Sequence, residues 1–168
     1  MKEIAILVED HYQVLEVWYP YFRMLEAGCK PIFVGPGRSK QYKSKEGYPL
    51  KEELTIKKAK AKDFEAVIIP GGYAPDMMRR SKEMIAFIKS MNKQKKIVAA
   101  ICHGGWMLSS ADILKGRKAT SFYAIKDDMV HAGAKYVDRE VVVDGNLITS
   151  RTPHDLPSFC REILRKLY

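Results

Sequence analysis

A cysteine at position 102 stands between an apolar run, Ile97–Ile101, and a glycine-rich segment, Gly104-Gly105, that opens a helix. Backbone N–H groups at the positive end of a helix lower a thiol's pKa, so the sequence predicts an activated thiol there. A strand–nucleophile–helix turn is also how the serine elbow of α/β-hydrolases exposes its nucleophile. The alternative is that Cys102 is a small buried hydrophobe at a strand end, a common place for cysteine. His103 has the chemistry of a base for a cysteine nucleophile, provided the turn brings imidazole and sulfur together; otherwise it only caps or packs that turn. Gly71-Gly72 lacks the spacing of a P-loop or a dinucleotide fingerprint, but beyond a central strand it can offer a backbone donor to an oxyanion. His11 is expected at the same mouth, His131 in a structural role, and His154 at solvent or an interface. Cys29 and Cys160 lack the surroundings that activate a thiol.

These residues need elements to hold them. Ile4–Val8, Lys30–Val34, Ala66–Ile69 and Ile97–Ile101 read as short strands, several of them apolar throughout as in a parallel sheet. Val14–Ala27 reads as a helix ending at Gly28, with a kink or break expected at Pro20. Arg38–Leu50 is polar and glycine-punctuated, a small excursion or hairpin. Ser81–Met91, Gly105–Ala111, Ile125–His131 and Asp155–Leu167 read as helices, and Ala119–Phe122 as a further short strand. Val141–Val143 and Leu147–Thr149 flank Asp144-Gly145-Asn146 as a hairpin. Alternating strands and helices predict a three-layer α/β sandwich, and sites on such sheets gather beyond the carboxyl ends of the strands.

Composition sets outer bounds. The 168 residues suit one domain, and three cysteines without a Cys-x-x-Cys spacing speak against a disulfide framework or a structural zinc. No apolar segment has the length of a membrane span or a signal peptide, so the expectation is a cytoplasmic protein. The net charge of +9 has its densest run at Lys57, Lys58, Lys60 and Lys62, read as a solvated helical face. With no interleaved aromatics and no recognisable motif, that run predicts no specific nucleic-acid site.

The ordered motifs Tyr19-Pro20-Tyr21, Pro70-Gly71-Gly72, Ala74-Pro75-Asp76, Ala100-Ile101-Cys102-His103-Gly104, Gly116-Arg117, Ile125-Lys126-Asp127-Asp128, Val141 to Asn146, Ser150-Arg151 and Asp155-Leu156 span nearly the whole chain. In them the sequence resembles the PfpI family, the intracellular protease I group of the class I glutamine amidotransferase-like superfamily. The resemblance implies a flavodoxin-like sandwich with a mostly parallel central sheet. It implies Cys102 as the nucleophile on a strained elbow, His103 as its neighbouring histidine, and Gly72 with the His103 backbone as oxyanion donors. It also implies that Asp76 reaches the histidine of a second copy, in a homodimer that can build to a hexamer. The family's first-loop glutamate, which hydrogen-bonds the nucleophile sulfur, aligns with Gln13; an amide can donate a hydrogen bond but cannot exchange a proton. Glu16 matches a family acid one helical turn on, and Asp10 lies nearby. Gly105 replaces a proline common among relatives.

The activity implied first is that of a cysteine-dependent hydrolase of the intracellular peptidase type, with Cys102 attacking a carbonyl. The alternatives are a glyoxalase or deglycase acting on methylglyoxal-type carbonyls or their adducts, and a non-enzymatic oxidation-sensing stress protein or chaperone. The substrate is then a small carbonyl compound or a peptide. No cofactor, metal or membrane partner is expected.

Overall fold

A computed structural model describes residues 1–168. Strand β1 (Glu3–Leu7) leads to helix α1 (Val14–Glu26) and strand β2 (Lys30–Gly35). Strands β3 (Gln41–Lys43) and β4 (Pro49–Lys51) form an antiparallel hairpin, followed by β5 (Leu54–Thr55) and β6 (Ala66–Ile69). Helices α2 (Ala74–Met78) and α3 (Lys82–Lys93) precede β7 (Ile97–Ile101) and α4 (Gly105–Ser110). Strand β8 (Lys118–Ala119), helix α5 (Lys126–His131) and strand β9 (Lys135–Tyr136) lead to β10 (Val141–Asp144), β11 (Leu147–Ser150) and the closing helix α6 (Leu156–Leu167).

The main sheet has seven strands in the order β10-β11-β7-β6-β1-β2-β5. Every pairing is parallel except that of β10 with β11. Helices α1 and α6 pack together on the sheet, while α2 to α5 form a second connected group. The fold is the expected three-layer sandwich. Strands β1, β6 and β7 are almost wholly buried, which is why they read as unbroken apolar runs. The chain passes from β1 outward to β2, then returns to place β6 and β7 on the other side of β1. The crevice beyond the carboxyl ends of β1 and β6 is therefore the topological switch point, where ligands bind in open α/β sheets.

Several expectations need correction. Helix α1 does not break at Pro20. Proline removes one backbone donor, yet Pro20 is buried among packed neighbours, and tertiary packing offsets the lost bond. The lysine run at 57–62 is solvated but is not an α-helical face: Lys57 and Lys58 lie in a turn, and Lys62 in a single 3-10 turn. Ala119–Phe122 supplies only the end of the two-residue strand β8. Strand β5 and helix α2 are too short to carry a periodic signal.

Candidate active site

Cys102 is buried and has φ +58°, the left-handed region in which a side chain other than glycine is strained. Its sulfur is held at the turn between β7 and α4, with His103 Nδ1 3.4 Å away. Gly71 and Gly104 make room for this turn. A Cβ on Gly71 would lie 2.7 Å from Cys102 Cβ, 2.7 Å from Glu16 Oε2 and 2.9 Å from the His103 nitrogen. One on Gly104 would lie 2.6 Å from the Ile69 carbonyl oxygen. Gly72 has φ +75°, and its turn abuts the first loop so closely that a Cβ would overlap the His11 carbonyl.

The first loop is stitched to this turn by backbone bonds from Gln13 to Gly71 at 3.2 Å and from Tyr73 to His11 at 2.8 Å. The same loop is stitched on its other side to the β3–β4 hairpin, with His11 N donating to Lys43 O and Lys45 N to Tyr12 O. Arg38 reinforces the junction by donating to both Glu9 and Asp10. In this way two segments far apart in sequence deliver Glu16 and Lys45 to one cavity.

Gln13 does not occupy the place expected of it. Its side-chain oxygen caps α1, accepting from Leu15 N at 2.6 Å and Glu16 N at 3.3 Å. The carboxyl that interacts with the Cys102 thiol is Glu16, fully buried one turn into the helix. Glu16 Oε2 accepts from Gly71 N at 2.7 Å, while Oε1 has no hydrogen-bond partner in the protein. Burial pushes the Glu16 carboxyl up to about 7, against the pull of the Gly71 N–H and the Cys102 thiol. The residue that aligned with the sulfur contact is thus a helix cap, and the carboxyl at the thiol is that of Glu16.

The expectation of a depressed thiol pKa also needs correction. Burial, and then the charge of ionised Glu16, push the Cys102 thiol up to about 12. The N–H groups of His103 and Gly72 pull it in the opposite direction. The helix behind the turn is only six residues long, and its pull does not overcome desolvation plus a neighbouring carboxylate. Each group acts on the other: ionised Glu16 disfavours the thiolate, while the thiol's hydrogen bond favours the carboxylate.

His103 is partly buried, with its ring 5.0 Å from that of Trp106 and 5.1 Å from that of Phe122. Burial, then Lys45, hold the imidazole below its ordinary value, opposed by Asp128. Asp128 accepts from Trp106 Nε1 at 2.8 Å and is the acid of this chain that His103 feels. Asp76 does not reach His103 within the chain; it pairs with Arg80 on the surface. His11 is exposed and contributes its backbone to the loop, not its ring to the cavity.

The cavity above Cys102 has a volume of about 440 Å³ and is lined by Gln13, Glu16, Lys45, Gly72, Tyr73, Cys102, His103, Phe122, Thr152 and Pro153. Lys45, Tyr73, Phe122, Thr152 and Pro153 escape sequence reasoning. Only Thr152 and Pro153 had a signal, lying directly after the Ser150-Arg151 motif. That motif is structural, since Arg151 binds Asp155 and Asp138. Likewise Arg117 binds the Asp144 carbonyl and Asn146 Oδ1 to brace the β10–β11 hairpin. No cluster of three or more His, Cys, Asp or Glu side chains could hold a metal ion. No helix is long and apolar enough to cross a membrane.

Comparison with known proteins gives the same picture of the chain. The model of the DJ-1/PfpI family matches residues 2–166. A deglycase of Pyrococcus horikoshii is 39% identical, covering 98% of this chain and 99% of its own. Four further curated relatives at that identity also carry a deglycase name. A Bacillus subtilis protein with a provisional cysteine protease name is 40% identical over 99% of this chain and 98% of its own. A crystal structure of a two-domain Anabaena variabilis protein with DJ-1/ThiJ/PfpI-like and ferritin-like domains superposes with a TM-score of 0.97 at 43% identity. That match covers 99% of this chain and 48% of the larger protein.

Proposed function

The chain belongs to the DJ-1/PfpI family, and on that premise we propose that it is a cysteine-dependent deglycase acting on methylglyoxal-type adducts. The observation that carries this reading over peptidase chemistry is the fully buried Glu16 carboxyl beside Cys102, whose Oε1 has no partner in the protein and which burial pushes up to about 7. Moving a proton between adjacent carbons of a dicarbonyl needs a group that accepts and returns it at neutral pH. Peptide hydrolysis leans instead on an imidazole steered by an acid. The compact cavity of about 440 Å³ also suits a small carbonyl unit. The deglycase names among the relatives point the same way.

In this mechanism the adduct opens in the cavity to its carrier and an aldehyde. Cys102 passes its thiol proton to Glu16, the sulfur bonds to the aldehyde carbon, and Glu16 hands the proton to the carbonyl oxygen. The hemithioacetal carbon then loses its hydrogen, as a proton, to the Glu16 carboxylate. Glu16 returns it to the neighbouring carbon, and the hydroxyl proton of the first carbon passes to the oxygen of the second, leaving a thioester carbonyl beside a hydroxyl group. One carbon is oxidised as the other is reduced, so no external oxidant or reductant is needed. Water cleaves the resulting thioester, releasing a 2-hydroxy acid and restoring the thiol. The N–H groups of Gly72 and His103 are the donors for the developing oxyanion. His103, with Nδ1 turned to the sulfur, leaves Nε2 for Asp76 of a second copy.

The test is lactate formation from the methylglyoxal adduct of N-acetylcysteine, run beside a fluorogenic peptide. Lactate production that is lost in Cys102→Ala and strongly reduced in Glu16→Gln supports the reading. Cys102-dependent peptide cleavage without lactate would overturn it.

A further inference from the structure

A second cavity, of about 640 Å³, adjoins the catalytic one and shares Phe122 and Thr152 with it. The shared wall is aromatic. The Phe122 ring lies 5.1 Å from the His103 ring on one side and 4.6 Å from the Tyr123 ring on the other. Tyr123 is 77% exposed, although it belongs to a short turn whose neighbours Phe122 and Ile125 are packed. A row of rings thus leads from the nucleophile into the larger space.

The two cations in the wall of that space differ. Arg151 is committed: its Nε donates to Asp155 at 2.9 Å and its Nη1 to Asp138 at 2.8 Å. Lys126 has no carboxylate partner. Its ammonium lies 5.7 Å from the centre of the Tyr136 ring, a contact that orients a cation without neutralising it. With Arg151 shared between Asp155 and Asp138, Lys126 is the cation of this wall that has no carboxylate in contact with it.

We infer that the second cavity is the carrier subsite of the site above Cys102: with the reactive carbonyl at the sulfur, the rest of the adduct extends past Phe122 and sets its carboxylate against Lys126. The inference rests on the proposed deglycase activity for the identity of the ligand. A free dicarbonyl has no group to reach this space. An adduct on an amino-acid-sized carrier has both an apolar stem to lie along Phe122 and Tyr123 and an anion for Lys126. The charge-assisted bond gives preference for carriers with a free carboxylate over those whose carboxyl is an amide.

The experiment uses an unreactive analogue of the adduct, S-acetonyl-N-acetylcysteine, and its carboxamide. Both are titrated at low ionic strength into the full-length Cys102→Ala protein, with binding followed by calorimetry and folding checked by circular dichroism. The carboxylate is expected to bind roughly tenfold more tightly than the amide. Adding Lys126→Ala should bring the two Kd values to within about twofold of each other, and Lys126→Arg should restore the gap. A Tyr123→Ala background should weaken both ligands together. Equal Kd values before Lys126 is changed, or a preference that survives Lys126→Ala, would overturn the subsite. Because binding is read with the nucleophile absent, this result is independent of turnover. Failure of the intact protein to form lactate would defeat the proposed activity without altering the Kd comparison.

Discussion

Cys102 and Cys160 share a chemistry and differ in everything around it. Burial pushes both thiols up to about 12. Cys160 is fully buried on α6, and the one charge that acts on its thiol is that of Arg23 rather than of a carboxyl. Cys102 sits on a strained turn against a cavity, with a titrating carboxyl and two N–H donors at its sulfur. The difference teaches that a raised thiol pKa does not by itself mark an inert cysteine. What counts is whether a neighbour can take the proton at the moment of attack. In this site Glu16 is the carboxyl placed to do so.

The strongest way to break the comparison is to remove each sulfur in turn. Cys102→Ala should abolish lactate formation while leaving the fold intact, because the nucleophile is gone. Cys160→Ala should keep activity and cost stability by about 1–2 kcal/mol through the space left in the core, read from chemical denaturation. Loss of turnover in both, or in Cys160→Ala alone, would erase the distinction.

Removing the proton acceptor comes next. Glu16→Gln should lower kcat by roughly 10² or more, the usual scale of positioned acid–base catalysis. Stability should move the other way, and the sign follows from the raised carboxyl pKa. Below about pH 4.5 the group is protonated in folded and unfolded chains alike and contributes nothing. Between about 4.5 and about 7 the unfolded chain ionises while the folded one keeps its proton, so stability falls as pH rises. Above about 7 the full penalty is present, about 3 kcal/mol at about 1.4 kcal/mol per tenfold in proton affinity. Glu16→Gln should therefore gain stability over the parent at pH 8 relative to pH 4, measured by urea unfolding at both. An unchanged difference would place the Glu16 carboxyl in an ordinary environment.

Smaller effects sharpen the geometry. Gly71→Ala puts a methyl group against Cys102, Glu16 and His103 together and should cost up to about 10²-fold in turnover by misplacing them. Asp76→Asn should lower activity more modestly. Mixing its chains with Cys102→Ala chains should restore some activity if a second copy supplies the acid, and none if it does not. Gln13→Ala should cost about 1 kcal/mol of stability through the lost cap and leave the thiol's pH behaviour alone.

The sequence disclosed the strands and the Cys102 turn because these are local: a buried strand is a run of apolar residues, and an elbow is a strand followed by glycines. Glu16 was harder to place. A carboxyl within an amphipathic helix reads as solvent-facing, and only the packing of α1 onto the Gly71 turn turns it inward. The family resemblance aligned Gln13 with the sulfur contact, but its side chain folds back onto its own helix. Lys45 enters from a hairpin whose contacts with Tyr12 are long-range backbone bonds, which no spacing reveals. Phe122 and Thr152 follow strands β8 and β11 and meet at the cavity only because the sheet brings them there. Strand β5 consists of two residues and is defined by its partner β2 rather than by its own composition.

Transfer of the Cys102 proton to Glu16 is read directly by the pH dependence of Cys102 alkylation by iodoacetamide. In the unaltered protein the rate should rise with a midpoint near 7, as the shared pair loses the first of its two protons, and then level off until strongly alkaline pH. In Glu16→Gln the midpoint near 7 should vanish and the rise move to alkaline pH, because a buried thiol must then ionise on its own. An identical profile in the two proteins, with both folded, would contradict the account.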